Sequence, residues 1–194
     1  MVDQGSKEGV KEAMNMDRLL GNLIGQIKEA QIKLGYTKET IRLYFPADSI
    51  CRLLDCNCGS PKELLVMLQQ EEGFCHTVLG KLTFSLCKGE RIEVRISADG
   101  AAYVKEQVPD PPFLSGIIEL FRENQHLTME ELCTFFGKFN DHYICEKMKP
   151  DADFDYVLYF PDGKPDSWYY CVRLEMDHTI YHRFTKADYR MITA

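Results

Sequence analysis

The chain reads as an α+β protein in which helices pack on antiparallel β-meanders, arranged as two helix-plus-meander blocks that share one core. Three observations predict this. Apolar residues recur at helical spacing from Leu20 to Leu34 and again from Leu114 to Phe139. A two-residue alternation runs through residues 78–105. Three aromatic-rich segments, Phe154–Phe160, Trp168–Leu174 and His178–Phe184, follow one another between turn residues and predict three antiparallel strands.

Residues 1–14 are polar and aperiodic, so a flexible lead is expected before Asn15 or Asp17 opens a helix. Leu23, Ile24, Ile27, Ala30 and Leu34 form its apolar stripe, and Gly35 stands where a left-handed C-cap belongs. Gly21 and Gly25 on this helix read as local packing. Residues 36–45 fit either a helical turn capped by Thr37 or a short strand carrying Ile41, Leu43 and Phe45, and Pro46 closes the segment. A short helix through Ile50, Leu53 and Leu54 stops at Cys56-Asn57-Cys58-Gly59. Ser60-Pro61-Lys62-Glu63 combines an N-cap serine, a proline in the first helical position and a reciprocal glutamate, and Leu64, Leu65 and Leu68 make the buried stripe that follows.

The alternation over 78–105 predicts three strands, carrying Leu82/Phe84/Leu86, Ile92/Val94/Ile96 and Ala102/Val104, with turns at Lys88-Gly89-Glu90 and Asp99-Gly100. Pro109, Pro111 and Pro112 make a rigid linker. Two helices follow, one marked by Leu114, Ile117, Ile118 and Phe121. The other opens at the capping box Thr128–Glu131 and carries Leu132, Phe135, Phe136 and Phe139.

At 194 residues, 45% hydrophobic and 27% charged, the chain is long enough for one full core. A lone three-stranded sheet with two helices buries little apolar area. One domain over 15–194, with sub-blocks 15–108 and 109–194, is therefore expected. The apolar runs fall far short of the roughly 20 residues a bilayer requires, and no charged-then-apolar leader opens the chain, so a cytoplasmic protein with no membrane partner is expected. A net charge of -7 and a pI near 5.3 argue against nucleic acid as a partner, since phosphate binding is driven by Lys and Arg. The helix pair before the C-terminal strands has the order of a winged-helix DNA reader, but Glu130 and Glu131 at the start of its second helix would repel phosphates.

Eight cysteines at irregular spacing inside apolar patterns read as free thiols. Cys56, Cys58, Cys75 and His76 invite a zinc reading, but a Cys-x-Cys pair and an adjacent Cys-His pair depart from the usual ligand spacing. No metal and no cofactor are expected. His178 and His182 share a strand face about 13 Å apart and cannot chelate one ion by themselves.

A two-residue loop at Met176-Asp177 would set Glu175 opposite His178, Arg173 opposite Ile180 and Cys171 opposite His182. Carrying the register through Pro161–Asp166 sets Tyr156 beside Cys171, so one face would present Tyr156, Cys171 and His182 in a row. A thiol beside an imidazole is the minimum for nucleophilic catalysis, although no oxyanion donor or base-orienting group is recognisable, and cross-strand packing explains the same row. The opposite face, Tyr159, Trp168, Tyr170, Tyr181 and Arg183, has the aromatic, polar-tipped composition of surfaces that bind partners or planar ligands, and equally of a core packed on helices. Both faces carry apolar residues, which predicts partial cover on each side.

The stretches Gln31–Tyr36 and Ile41–Pro46, with Phe154-Asp155-Tyr156, Tyr169-Tyr170-Cys171 and Ile180–Phe184, resemble an uncharacterised family of hypothetical proteins from clostridial bacteria, over about residues 16–190. The resemblance implies a bacterial, cytosolic protein with a domain of unknown function, and it supplies no active site. The reading at this level is a binding or interaction module that uses the C-terminal aromatic sheet for a protein or small-molecule partner. The alternative is a small thiol-dependent hydrolase using Cys171 and His182.

Overall fold

Leu19, Leu23 and Ile27 are fully buried along helix α1 (Met16–Leu34), which forms where the apolar spacing predicts it. The Asn15 side chain accepts the Arg18 N–H at its start. Gly35, at φ +73°, returns its N–H to the Gln31 carbonyl at its end. The computed structural model describes residues 15–37 and 39–193, and the expected lead at 1–14 lies outside the described residues. Contacts divide the chain into two compact units, one of residues up to Ile27 with Thr37–Val104, the other of Lys28–Tyr36 with Lys105 onwards. Among the described residues, seven helices and two antiparallel sheets make the fold α+β.

In the first unit the ambiguous stretch after α1 resolves as strand β1 (Ile41–Pro46), and helix α2 (Ala47–Leu54) follows directly. Helix α3 (Pro61–Gln70) starts on Ser60, whose hydroxyl accepts the Glu63 N–H. The Glu63 carboxylate caps the Gly59 N–H, one residue earlier than a reciprocal box requires. Strands β2 (Thr83–Cys87) and β3 (Arg91–Ile96) are joined through Gly89 and Glu90, both at positive φ, as a tight hairpin needs.

The third strand expected through Ala102 and Val104 is instead helix α4 (Ala98–Gln107). The spacing that decides it is Ala101 to Val104, three apart and both fully buried, and the Ser97 hydroxyl accepts the Gly100 N–H at the helix start. Gly100 is therefore not a turn residue. A Cβ there would lie 2.3 Å from the Leu79 carbonyl oxygen, so the glycine permits a close approach of two backbone segments. The sheet is completed by β1 from before the helices, giving the order β1-β3-β2.

The second unit opens with α5 (Pro112–Glu123) and α6 (Met129–Phe139), and α6 carries the predicted capping box with both Thr128–Glu131 bonds formed. Its sheet has the order β4-β5-β6-β7, from Ile144–Lys147, Tyr156–Tyr159, Tyr169–Leu174 and Thr179–Phe184. Strand β4 and the closing helix α7 (Lys186–Ile192) add to the three predicted strands. Phe113, Leu114, Ile117 and Phe136 from the helices pack with Leu158, Phe160, Tyr170 and Val172 from one face of this sheet. Lys28, with its side chain 2% exposed, pairs with Asp110 at 2.8 Å, which satisfies a charge that burial would otherwise destabilise strongly. Among the described residues no helix is long and apolar enough to cross a membrane.

Candidate functional site

Strands β6 and β7 meet in the predicted register: Arg173 opposite Ile180 and Cys171 opposite His182, with the Glu175 N–H donated to the His178 carbonyl. The β5–β6 register is one residue away from the expected one, with Tyr156 opposite Val172 and Val157 opposite Cys171. Since successive strand residues point to opposite faces, that one-residue slip moves every β5 side chain to the other side of the sheet. Tyr156 leaves the Cys171 row and joins the helix-facing core, while Tyr159 leaves the proposed aromatic surface for the outer face.

The remaining four residues of that surface do converge, but inward. Tyr170 is fully buried and the Arg183 side chain is 5% exposed. The Arg183 guanidinium lies 4.5 Å from the Trp168 ring and 5.5 Å from the Tyr170 ring, and pairs with Glu29 and, at 3.6 Å, with Asp166. Asp166 also accepts the Trp168 N–H at 2.8 Å and the Tyr170 hydroxyl at 2.9 Å. Burial pushes the Tyr170 phenol well above its ordinary pKa, so its hydroxyl stays a donor. Tyr181 stands 5.9 Å from Tyr170 and beneath the Lys33 ammonium, which itself pairs with Glu29 at 2.6 Å. This composition forms a polar knot inside the second unit rather than presenting a flat docking face, with the Tyr181 hydroxyl and the Arg183 Nε buried in it without a hydrogen-bond partner among the described residues.

On the outer face Val157, Tyr169 and Cys171 form a small buried cluster under Met148, Phe154, Tyr159, Phe184 and Tyr189. Tyr159, Tyr169 and Tyr189 stack in sequence, at 4.3 and 4.8 Å between ring centroids. Cys171 is fully buried and desolvation pushes its thiol up to about 12, whereas His182 across the ladder is exposed. A thiol so placed is protonated and sealed from substrate at neutral pH, and burial alone, with no contribution from His182, sets its shift. His178 instead meets the Glu175 carboxylate at 3.2 Å.

Beside this cluster a cleft of about 330 Å³ opens between the β4–β5 edge and α7. Val157, Tyr189 and Ile192 supply its apolar part, and Glu146, Lys149 and Asp151 bring charges of both signs. Its volume lies at the low end of the range of small-molecule sites, and its lining is mixed polar and apolar.

All eight cysteines are unpaired. Cys51, Cys56 and Cys58, in the first unit, bring their sulfurs within 4.8 Å of one another, while Cys75 and His76 stand outside the group. The sequence reading missed Cys51. In a straight helix, residues five apart point in different directions, and only the left-handed Asp55 (φ 56°, ψ 42°) folds Cys56 back over Cys51. The N–H groups of Asp55 and Cys56 both return to the Cys51 carbonyl, the signal of that reversal. Burial and then the neighbouring Cys51 and Cys58 thiols push Cys56 up to about 12, and burial followed by the Cys58 contact raises Cys51. Three crowded thiols resist ionising together unless a cation accompanies them.

Comparison with known proteins finds no match among curated proteins and none among solved structures. The family described as "Domain of unknown function, E. rectale Gene description (DUF3877)" matches residues 16–193, nearly the span and the kind of family that Gln31–Tyr36, Ile41–Pro46 and the C-terminal aromatic segments together suggested, and the chain belongs to it.

Proposed function

We propose that this protein is a binding module and that its ligand is a small amphipathic molecule held in the cleft between the β4–β5 edge and α7. The observation that carries the reading is the cleft itself, about 330 Å³ with Val157, Tyr189 and Ile192 on the apolar side and Glu146, Lys149 and Asp151 around it. It belongs to the C-terminal aromatic sheet, on the outer face where Tyr159, Tyr169 and Tyr189 stack. The inner residues serve as scaffold instead: Tyr170 and Arg183 have their polar groups engaged by Asp166 and Glu29, and Trp168 and Tyr181 pack their rings under the Arg183 and Lys33 cations.

The alternative of a thiol hydrolase using Cys171 and His182 asks for an exposed, ionisable sulfur, and Cys171 is neither. A screen of small aromatic and aliphatic acids and amines by thermal shift tests the binding reading. Ligands that raise Tm in the parent protein should lose their effect in Ile192→Trp, which fills the cleft from an exposed position, and keep it in Tyr103→Ala. Hits indifferent to Ile192→Trp would count against this cleft. Mass mapping of alkylation near neutral pH addresses the alternative: Cys171 should be labelled only on unfolding, and labelling of Cys171 ahead of the exposed Cys75 and Cys145 would revive the hydrolase.

A further inference from the structure

We infer that Cys51, Cys56 and Cys58 form a zinc site with three thiolate ligands and one open coordination position. The site lies in the first unit and is independent of the cleft proposed above. Three sulfurs bound tetrahedrally at about 2.3 Å from one zinc stand about 3.8 Å apart. Cys56 and Cys58 are 4.0 Å apart and all three sulfurs lie within 4.8 Å, so side-chain adjustments of under about an ångström close the site.

The backbone brings the ligands together from three different settings. Cys51 sits in the last turns of α2, Cys56 follows the left-handed Asp55, and Cys58 lies in the loop just before the Ser60 cap of α3. A packing role for small apolar side chains would not favour gathering three thiols on one partly exposed wall, because all three are half-buried rather than sealed. The wall they share borders a cleft of about 510 Å³ with Asp48, Arg52 and Asp55, wide enough for a fourth ligand to enter from solvent.

Among the described residues no fourth His, Cys, Asp or Glu joins the group. Three protein ligands with a vacant direction are the pattern of exchangeable or reactive zinc rather than of a closed structural site. Each thiol loses its proton to solvent as its sulfur binds. The resulting zinc tri-thiolate carries one net negative charge, in a cleft that also holds the Arg52 guanidinium and the Asp48 and Asp55 carboxylates. The fourth position would take water or an exogenous thiol.

The test uses the whole protein, freshly reduced, titrated with zinc in competition with a chromophoric chelator and separately with cobalt(II). One equivalent of zinc per chain is expected, with a cobalt spectrum showing thiolate-to-metal charge transfer and tetrahedral d–d bands. Cys56→Ser and Cys58→Ser should each weaken zinc binding by more than about 100-fold, above the loss usual for altering a residue that merely supports a ligand. Cys87→Ser and Cys133→Ser should leave it unchanged. In the parent protein, zinc should protect Cys51, Cys56 and Cys58 from alkylation together, a readout that needs no variant to fold. Retained affinity in both ligand variants, protection of other cysteines instead, or a Cys56–Cys58 disulfide that persists under reductant would overturn the assignment.

Discussion

Asp166 shows how one side chain organises the aromatic half of the second unit. Its two oxygens hold the Trp168 N–H and the Tyr170 hydroxyl while facing the buried Arg183. Removing it strands a fully buried phenol and takes one of two carboxylates from a guanidinium, and groups left unsatisfied in that way cost about 1–3 kcal/mol each. Asp166→Ala is expected to lower unfolding stability by about 3 kcal/mol, and Asp166→Asn, which keeps an acceptor, by about half as much; urea denaturation reads both. Trp168, Tyr170, Tyr181 and Arg183 were legible as a cluster because alternation places them on one face. Their inward role was not, since the residues that recognise a partner are the ones that satisfy a buried cation. Tyr156 and Tyr159 were misplaced for a different reason. The two-residue Met176-Asp177 loop admits one register, whereas the longer connection from Phe160 to Trp168 admits neighbouring ones, and a slip of one reverses every face assignment. Cys51 escaped notice because its proximity to Cys56 depends on the left-handed turn at Asp55, a conformation that an aspartate permits without announcing.

Helices with explicit caps were readable in order. Asn15, Ser60 and Thr128 each accept the N–H groups that a helix start leaves unpaired, and Gly35 closes α1. The segment at 98–107 went the other way, because Ala102 and Val104 imitate strand alternation and Asp99-Gly100 imitates a turn. The competing signal was the three-residue spacing of buried Ala101 and Val104 behind the Ser97 cap. A measurable consequence follows at Gly100. Glycine to alanine inside a helix ordinarily gains up to about 1 kcal/mol, yet the new methyl group would meet the Leu79 carbonyl oxygen at 2.3 Å, and backbone there cannot swing aside as a side chain would. The clash should win: Gly100→Ala is expected to destabilise by about 2 kcal/mol in thermal or urea unfolding. A stabilised variant would mean that α4 and the Leu79 segment are more loosely packed than described. Strand β4 and helix α7 were not foreseen. β4 is short with three exposed residues, and α7 has none buried, so neither carries a periodic apolar stripe.

Across the whole molecule, a net charge of -7 leaves many carboxylates, and two of them tie acid stability to specific contacts. The hydrogen bond from Lys28 holds the Asp110 carboxyl below its ordinary pKa. The backbone N–H and hydroxyl of Thr128 do the same for Glu131. A depressed carboxyl pKa contributes stability that is fully present above the unfolded value, near 4, and is lost as pH falls through the folded value. Unfolding followed against pH should therefore show stability declining below about pH 4, and Asp110→Asn should flatten part of that decline while lowering the plateau at neutral pH. An unchanged acid limb would remove the Lys28–Asp110 pair from the account. Fold class was legible at this scale, because long capped helices and tightly turned strands each announce themselves. The grouping of Lys28–Tyr36 with the C-terminal residues was not, since helical periodicity runs unbroken across Ile27 and Lys28.

The central claim is that ligand binds between the β4–β5 edge and α7. Its most direct test is a backbone-amide NMR titration of the isotopically labelled protein with the hits of the small-molecule screen. The prediction is that shifts concentrate at Met148, Lys149, Ala152, Tyr189 and Thr193, all of which line the cleft. Shifts confined to residues outside the cleft, with those amides unmoved at saturation, would contradict it.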